Sequence, residues 1–337
     1  MTSIDRVSVI GAGAWGTALA LIASRAGRST TLYARRKELA AAIAASGENA
    51  DYLPGISLPR TDQPGAIAVT ADLAPALQAD AILYAQPAQH FRAFCAAATP
   101  HWRRGAALVL CAKGIEQASG LLLHEIAAEA LPDASVTALS GPSFAIDVAR
   151  GLPTAVAIAG TDEELVEALM LALSHGAFRP YGTGDLLGVE VAGAVKNVLA
   201  IACGMVMGAG LGDNARAALI TRGLAEVSRL ALAKGGRPET LMGLAGLGDL
   251  VLTCSSPKSR NMSLGIELGQ GRALSDILAA RHSVAEGVTT APAVVTLAQR
   301  LGVEMPIAEA VNRILHGGSS LGAEVDALLS RPLKREG

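Results

Sequence analysis

An excess of charge of either sign is missing from this sequence. Lys and Arg number 28 against 30 Asp and Glu, a formal net charge of −2 over 337 residues. A nucleic-acid binder carries a basic excess or a clustered basic stripe, so no nucleic-acid partner is expected. Charged residues make up only 17% of the chain, too few for a coiled coil, while 51% hydrophobic residues exclude a disordered one. Cysteine is sparse. Cys95, Cys111, Cys203 and Cys254 lie far apart with no CxxC pair, so they read as reduced, buried thiols rather than a disulfide or zinc framework. No HExxH stretch and no metal-ligand spacing of histidines occurs, and no metal is expected. The N-terminal segment shows no basic leader or cleavage pattern. The longest low-charge run, Val191 to Gly212, contains Lys196, Asn197 and several glycines. It reads as a buried core helix and its exit loop, so no membrane span is expected. A cytoplasmic, soluble protein follows from these absences.

What is present divides the chain in two, as its length of about two domains suggests. Apolar runs of strand length recur at Val7–Ile10, Thr30–Tyr33, Ile67–Val69, Ala81–Ala85, Leu108–Cys111, Val136–Leu139 and Ala155–Ile158. Helix-like stretches separate most of them, which predicts crossover units and a mainly parallel sheet. The alternation stops near Tyr181–Asp185. Beyond it the pattern is helical, with segments at Val189–Met207, Asn214–Lys234, Ser275–Ala280, Thr290–Leu301, Ile307–Leu315 and Ala323–Ser330. The expected organisation is an α/β sheet domain over residues 1–185 and an all-α domain over 186–337, its last residues from Arg331 a frayed polar tail. The small residues along Asn214–Lys234 suit either a homodimer interface or a tight core.

Gly11-Ala12-Gly13-Ala14-Trp15-Gly16 follows the first strand and opens a helix, as GxGxxG does in a Rossmann-type dinucleotide site. Gly11 permits the tight turn, Gly13 the approach of a pyrophosphate, and Gly16 the close packing of helix on strand. An NAD site usually places a carboxylate about 20 residues further on. Arg35 and Arg36 stand there instead, which favours a 2′-phosphate and hence NADP, with NAD also open. The plainer alternative is a solvated basic pair opening the next helix.

Lys196 is the sole charged residue between Glu190 and Asp213. Burial lowers a lysine pKa toward neutrality and fits it for proton transfer; a stem crossing apolar surface toward water is the alternative. Asp249, on a glycine-flanked turn, is a candidate partner or an ordinary helix N-cap. Ser259, Arg260 and Asn261 lie on one polar stretch, which reads as a phosphate cradle or a solvated turn. Lys113 and Gly141-Pro142-Ser143 follow the ends of two strands, where open α/β sheets bind ligands. Taken alone, Lys113 also fits a surface turn and Ser143 a helix N-cap.

These residues together resemble the bacterial-type NAD(P)-dependent glycerol-3-phosphate dehydrogenases. The resemblance runs from Val7 to Ser330. Its carriers are GAGAWGTALA at Gly11, AKGIE at Ala112, SGPSFA at Ser140, GLPTA at Gly151, GAVKNVLAIACG at Gly193, NARAALITRGLAE at Asn214, GLAGLGDLVLTC at Gly243, SRN at Ser259 and GVEMPI at Gly302. It implies reversible reduction of dihydroxyacetone phosphate to sn-glycerol 3-phosphate, the glycerophospholipid backbone. It implies Lys196 as general acid/base with Asp249 as its charged partner. Substrate contacts from Lys113, Gly141, Ser143, Thr253, Ser259, Arg260 and Asn261 are also implied. Dinucleotide contacts fall to Ala14, Trp15, Arg35, Arg36, Lys113, Ala145, Arg260, Val284 and Glu286. Two positions depart from the pattern: many relatives carry Ser where Ala14 stands, and VPS where this chain has Gln86-Pro87-Ala88.

Overall fold

The computed structural model describes residues 3–60, 62–281, 284–333 and 335. The tail expected from Arg331 onward lies partly outside these residues. Eight strands form one sheet: β1 (Arg6–Ile10), β2 (Ser29–Tyr33), β3 (Ile67–Thr70), β4 (Ala81–Tyr84), β5 (Ala107–Leu110), β6 (Ser135–Ser140), β7 (Thr154–Ala159) and β8 (Phe178–Thr183). Their order is β3-β2-β1-β4-β5-β6-β7-β8. All neighbouring pairs are parallel except β6 with β7. β4 and β5 are buried along their whole length, as central strands covered on both faces must be, and they read as unbroken apolar runs for that reason.

The chain winds outward from β1 in one direction through β2 and β3 and in the other through β4 to β6. The order therefore reverses between β1 and β4, which opens a crevice at the carboxyl ends of those strands. Gly11, Gln86, Lys113 and Gly141 all lie just past strand ends on that same edge.

The eighth strand, β8, does not stand out in the sequence. It contains Arg179, Pro180 and Gly182, residues that usually punctuate strands. As an edge strand it tolerates a proline. Only one of its faces is covered: Phe178 and Pro180 are buried while Arg179 and Tyr181 are exposed.

The helical half is built around Leu186–Gly208. This is the one helix among the described residues long and apolar enough to cross a membrane, and 94% of its most apolar window is buried inside the protein. A helix that is apolar all round is stable in water only as the centre of a core. Its neighbours are Gly212–Lys234, Asp249–Ser255, Arg260–Gly269, Glu286–Leu301 and Pro306–His316. Two of these, Asp249–Ser255 and Arg260–Gly269, are not evident from periodicity, because their serines and glycines resemble turn signals.

Arg260–Gly269 crosses the central helix with almost no side chain between them. A methyl on Gly204 would stand 2.8 Å from the Gly265 Cα, and one on Gly265 would stand 2.9 Å from the Gly204 Cα. Two backbones in contact fix where the first turn of the second helix ends up. Gly265→Ala is expected to destabilise the chain by about 1–3 kcal/mol through overpacking. It should also weaken use of any ligand held by that first turn. Urea denaturation with steady-state kinetics on the same variant measures both, and a variant unchanged in stability would show that the crossing has slack.

Candidate active site

The glycine turn forms the first wall of the crevice. Gly11 sits at φ 120° and donates its N–H to Tyr33 O at 3.0 Å, a conformation that requires glycine. A methyl on Gly16 would collide with the Gly11 carbonyl oxygen, so helix Ala14–Arg25 can lie this close to β1 only with glycine there. Gly13 is the helix N-cap at φ −77°. Any residue adopts that angle, so geometry alone does not demand glycine. A methyl on Gly13 would meet nothing within 4 Å. The space above it is open, and the backbone N–H groups of Ala14, Trp15 and Gly16 begin a helix with no side-chain cap. This is the cradle that an anion uses at a helix N-terminus.

Arg35 and Arg36 follow β2 and are both exposed. Their situations differ. Arg36 Nη2 lies 2.9 Å from Asp51 Oδ2 and its guanidinium is 5.9 Å from the Tyr52 ring centre. Arg35 makes no ion pair among the described residues and is free to meet a ligand. The helix expected after them starts at Lys37, with Arg36 as its N-cap residue.

Across the crevice, Lys196 and Asp249 come together. Lys196 is 6% exposed and Asp249 2% exposed. Lys196 Nζ donates to Asp249 Oδ1 at 2.8 Å and to Thr253 Oγ1 at 2.7 Å. The second carboxylate oxygen accepts from Lys113 Nζ at 2.6 Å. Lys113 also donates to the Gly141 carbonyl at 3.4 Å. One buried carboxylate thus holds two ammonium groups, one from the helical half and one from the loop after β5. Burial pulls Lys196 down to about 8, partly opposed by Asp249 and reinforced by repulsion from Lys113. For Asp249, burial pushes the pKa up, but the two ammonium groups outweigh it and hold the carboxyl below the usual range. Asp249 is the first residue of its helix, preceded by a π-helical turn at Leu244–Gly248. It is not an N-cap; Gly248 holds that position.

The neighbouring amides extend the cluster. Asn197 donates through Nδ2 to the Lys113 carbonyl at 3.2 Å, and its Oδ1 accepts from Asn261 Nδ2 at 2.9 Å. Asn261 Oδ1 accepts from the Gly287 N–H at 2.9 Å. The stretch read as a polar loop is in fact a helix start. Ser259 is the N-cap of Arg260–Gly269, its Oγ accepting from Met262 N at 3.3 Å. Arg260 follows as the first helical residue; burial of its guanidinium lowers its pKa, against the pull of the Glu286 carboxylate. Ser143 is not a helix cap either. Phe144 is the N-cap of Ala145–Ala149, and Ser143 Oγ donates to the Gly141 carbonyl at 2.9 Å. Gly141, at φ 148°, could carry no side chain, since a methyl would stand 2.9 Å from Val156 Cα.

Glu286 opens the Glu286–Leu301 helix and reaches over to the sheet half, where its Oε1 accepts from Ala88 N at 3.2 Å. Its Oε2 is buried without a partner among the described residues. Burial pushes its carboxyl up to about 7, against the pull of the Ala88 N–H and Arg260. Val284 is 47% exposed and offers only backbone polar groups. The open space over Gly13 and the unpartnered Glu286 oxygen suit a dinucleotide stretched along this crevice. The departure at Ala88 therefore leaves its backbone N–H in use and only the side-chain hydroxyl missing.

Sequence reading passed over the residues that hold the Lys113 loop. Glu116 is 8% exposed and takes Arg92 in a two-point pair, with Nε and Nη2 each at 2.9 Å, while Ser119 Oγ donates to it at 2.5 Å. Gln89 Nε2 donates to the Ile115 carbonyl at 2.7 Å. Nothing in their spacing connects residues 89 and 92 with 116; only the AKGIE run that contains Glu116 hints at it.

The chain is similar to known proteins over nearly its whole length. The family model for the NAD-dependent glycerol-3-phosphate dehydrogenase N-terminus matches residues 6–166, and that for the C-terminus residues 185–326. A glycerol-3-phosphate dehydrogenase [NAD(P)+] from Caulobacter vibrioides is 58% identical over 334 residues, covering 99% of each chain. One of the same name from Parvibaculum lavamentivorans is 56% identical over 98% of each. The crystal structure of glycerol-3-phosphate dehydrogenase from Coxiella burnetii superimposes with a TM-score of 0.92 at 39% identity, covering 97% of this chain and 99% of that one. The chain belongs to the NAD-dependent glycerol-3-phosphate dehydrogenase family.

Proposed function

We propose that this chain reduces dihydroxyacetone phosphate to sn-glycerol 3-phosphate with Lys196 as the proton donor, and catalyses the reverse oxidation with Lys196 as the proton acceptor. The observation that carries this reading is the buried Lys196–Asp249–Lys113 cluster at the carboxyl edge of the sheet, beside the glycine turn. A dinucleotide held by the Gly11–Gly16 turn, Arg35 and Glu286 supplies the hydride when bound. Trp15, Ala145 and Val284 complete that wall.

An ammonium has three donors. Lys196 commits one to Asp249 and one to Thr253, which leaves the third for a ligand oxygen. Lys113 commits one donor to Asp249 and one to Gly141 and likewise keeps a third. Two ammonium groups and one carboxylate carry a net positive charge at the place where a ketone oxygen becomes an alkoxide. The cluster therefore stabilises the transition state more than the neutral ketone. The proton on Lys196 Nζ passes to that oxygen. Burial has already weakened Lys196 as a base, so the neutral amine left behind costs little.

The substrate phosphate belongs at the start of the Arg260–Gly269 helix. Arg260 and the backbone N–H groups of Arg260 and Asn261 lie at that helix start, the Met262 N–H being already taken by Ser259 Oγ. Anchoring a remote phosphate spends binding on orientation of the carbonyl. Arg35, the unpaired arginine of the two, meets a 2′-phosphate, so NADPH is the preferred dinucleotide. The four free, buried cysteines fit the reducing cytoplasm where glycerophospholipid precursors are made.

Lys196→Ala should lower kcat for dihydroxyacetone phosphate by about 10²–10⁴-fold, the usual contribution of general acid catalysis, with dinucleotide affinity intact. In the parent protein, ketone reduction needs the ammonium form, so kcat/KM should fall as pH rises through about 8. Alcohol oxidation needs the neutral amine and should rise over the same range. Flat profiles from pH 6 to 10 would remove Lys196 from the reaction.

Arg260→Ala should cut kcat/KM for dihydroxyacetone phosphate about 10- to 100-fold, the effect of one charge-assisted hydrogen bond of roughly 1.5–3 kcal/mol. Unphosphorylated dihydroxyacetone should be affected far less, and equal losses on both ketones would sink the phosphate assignment. Arg35→Ala should reduce the preference for NADPH over NADH by about tenfold, read from kcat/KM with each; an unchanged ratio would assign the 2′-phosphate elsewhere.

A further inference from the structure

Asn49 belongs to none of the motifs above. It follows the Lys37–Ser46 helix, after the left-handed cap at Gly47 (φ 69°) turns the chain back over the glycine turn. Its side chain is fully buried, at 0% exposure. Nδ2 donates to the Ala12 carbonyl at 2.9 Å and to Thr17 Oγ1 at 2.8 Å. One partner lies inside the GxGxxG turn and the other in the first turns of the helix it opens. The Ala12 carbonyl can only accept, so the amide nitrogen and not the oxygen faces it.

A planar trans peptide directs its C=O and the following N–H to opposite sides. With the Ala12 carbonyl drawn inward to Asn49, the Gly13 N–H is turned away from it. The space where a Gly13 side chain would stand is empty to 4 Å, and the capless helix start lies beside it. The bond to Thr17 ties turn and helix to the same amide, so neither can rotate without the other.

Two further observations separate this from ordinary packing. Among the described residues Asn49 Oδ1 is buried without a partner, which a residue kept only to fill volume has no reason to tolerate. The same short segment also holds the basic rim: Asp51 pairs with Arg36 and the Tyr52 ring lies under its guanidinium. The Asn49 carbonyl itself anchors the segment by accepting from Leu53 N at 2.8 Å.

We infer that Asn49 is a positioning residue of the dinucleotide site, setting the Ala12–Gly13 peptide so that the Gly13 N–H meets the pyrophosphate. The inference rests on the dinucleotide reading above and names a residue outside it. Asn49→Leu keeps the volume and removes the donor. Asn49→Asp changes the shape less and sets an acceptor against the Ala12 carbonyl; it carries the test if the leucine variant does not fold.

The dissociation constants of NADPH and of adenosine 2′-monophosphate, which has no pyrophosphate, are measured by fluorescence and calorimetric titration. Thermal melts of the free proteins accompany them. NADPH affinity should fall at least tenfold in the variants, with the adenosine 2′-monophosphate affinity within twofold of the parent. Undiminished NADPH binding would overturn the assignment. So would parallel loss of both ligands, which would make Asn49 a packing residue of the whole unit. A parent protein that binds neither NADPH nor NADH would instead overturn the dinucleotide reading, and the role of Asn49 with it.

Discussion

One buried carboxylate holds the two halves of this protein to a common chemistry. Asp249 gives one oxygen to Lys196 of the central helix and the other to Lys113 of the sheet half. Asp249 opposes the burial that pulls the Lys196 pKa down, and the two ammonium groups hold the buried carboxylate below its usual range. The three groups are therefore a single electrostatic unit. Among the described residues only Asp249 pairs with these two ammonium groups, so the unit carries a surplus of positive charge. The amides of Asn197 and Asn261 continue the unit to the start of the Glu286 helix. Glu286 in turn bonds back to Ala88 on the sheet. The crevice is closed on both sides by contacts that cross it.

The fold positions these groups through a division of labour. The sheet contributes strand ends, whose loops present Gly11, Lys113 and Gly141 along one edge. The helical half contributes consecutive faces of one long helix, with Gly193 against Ser140 and Lys113, Lys196 on Asp249, and Asn197 on Asn261. A single rigid helix thus aligns Lys196 with both the strand ends and the Arg260–Gly269 helix. Helix burial on all sides makes that alignment insensitive to solvent.

Much of this was legible in the sequence, for local reasons. The glycine turn, seven of the strands and the long helices each depend on short-range pattern, and Lys196 stood out because a cation amid alanines and glycines needs a partner. What was not legible depended on contacts distant in sequence. Strand β8 exists because β7 offers it an edge, in spite of Pro180. The helices at Asp249 and Arg260 form because they pack on the central helix, so residues that resemble a loop become a helix start with Ser259 as its cap. The hold of Glu116 and Arg92 on the Lys113 loop, and of Asn49 on the glycine turn, spans 24 and 37 residues. No periodicity records such pairs.

The contact of Gly204 with Gly265 bears on how such an enzyme can diversify. Where side chains separate two helices, a change of rotamer lets them slide and a pocket can drift in shape. Here main chain rests on main chain, and there is nothing to re-choose. The platform under Arg260 and Asn261 is a fixed datum. New specificities must be written on it by exchanging the residues it displays, while the platform itself stays where it is.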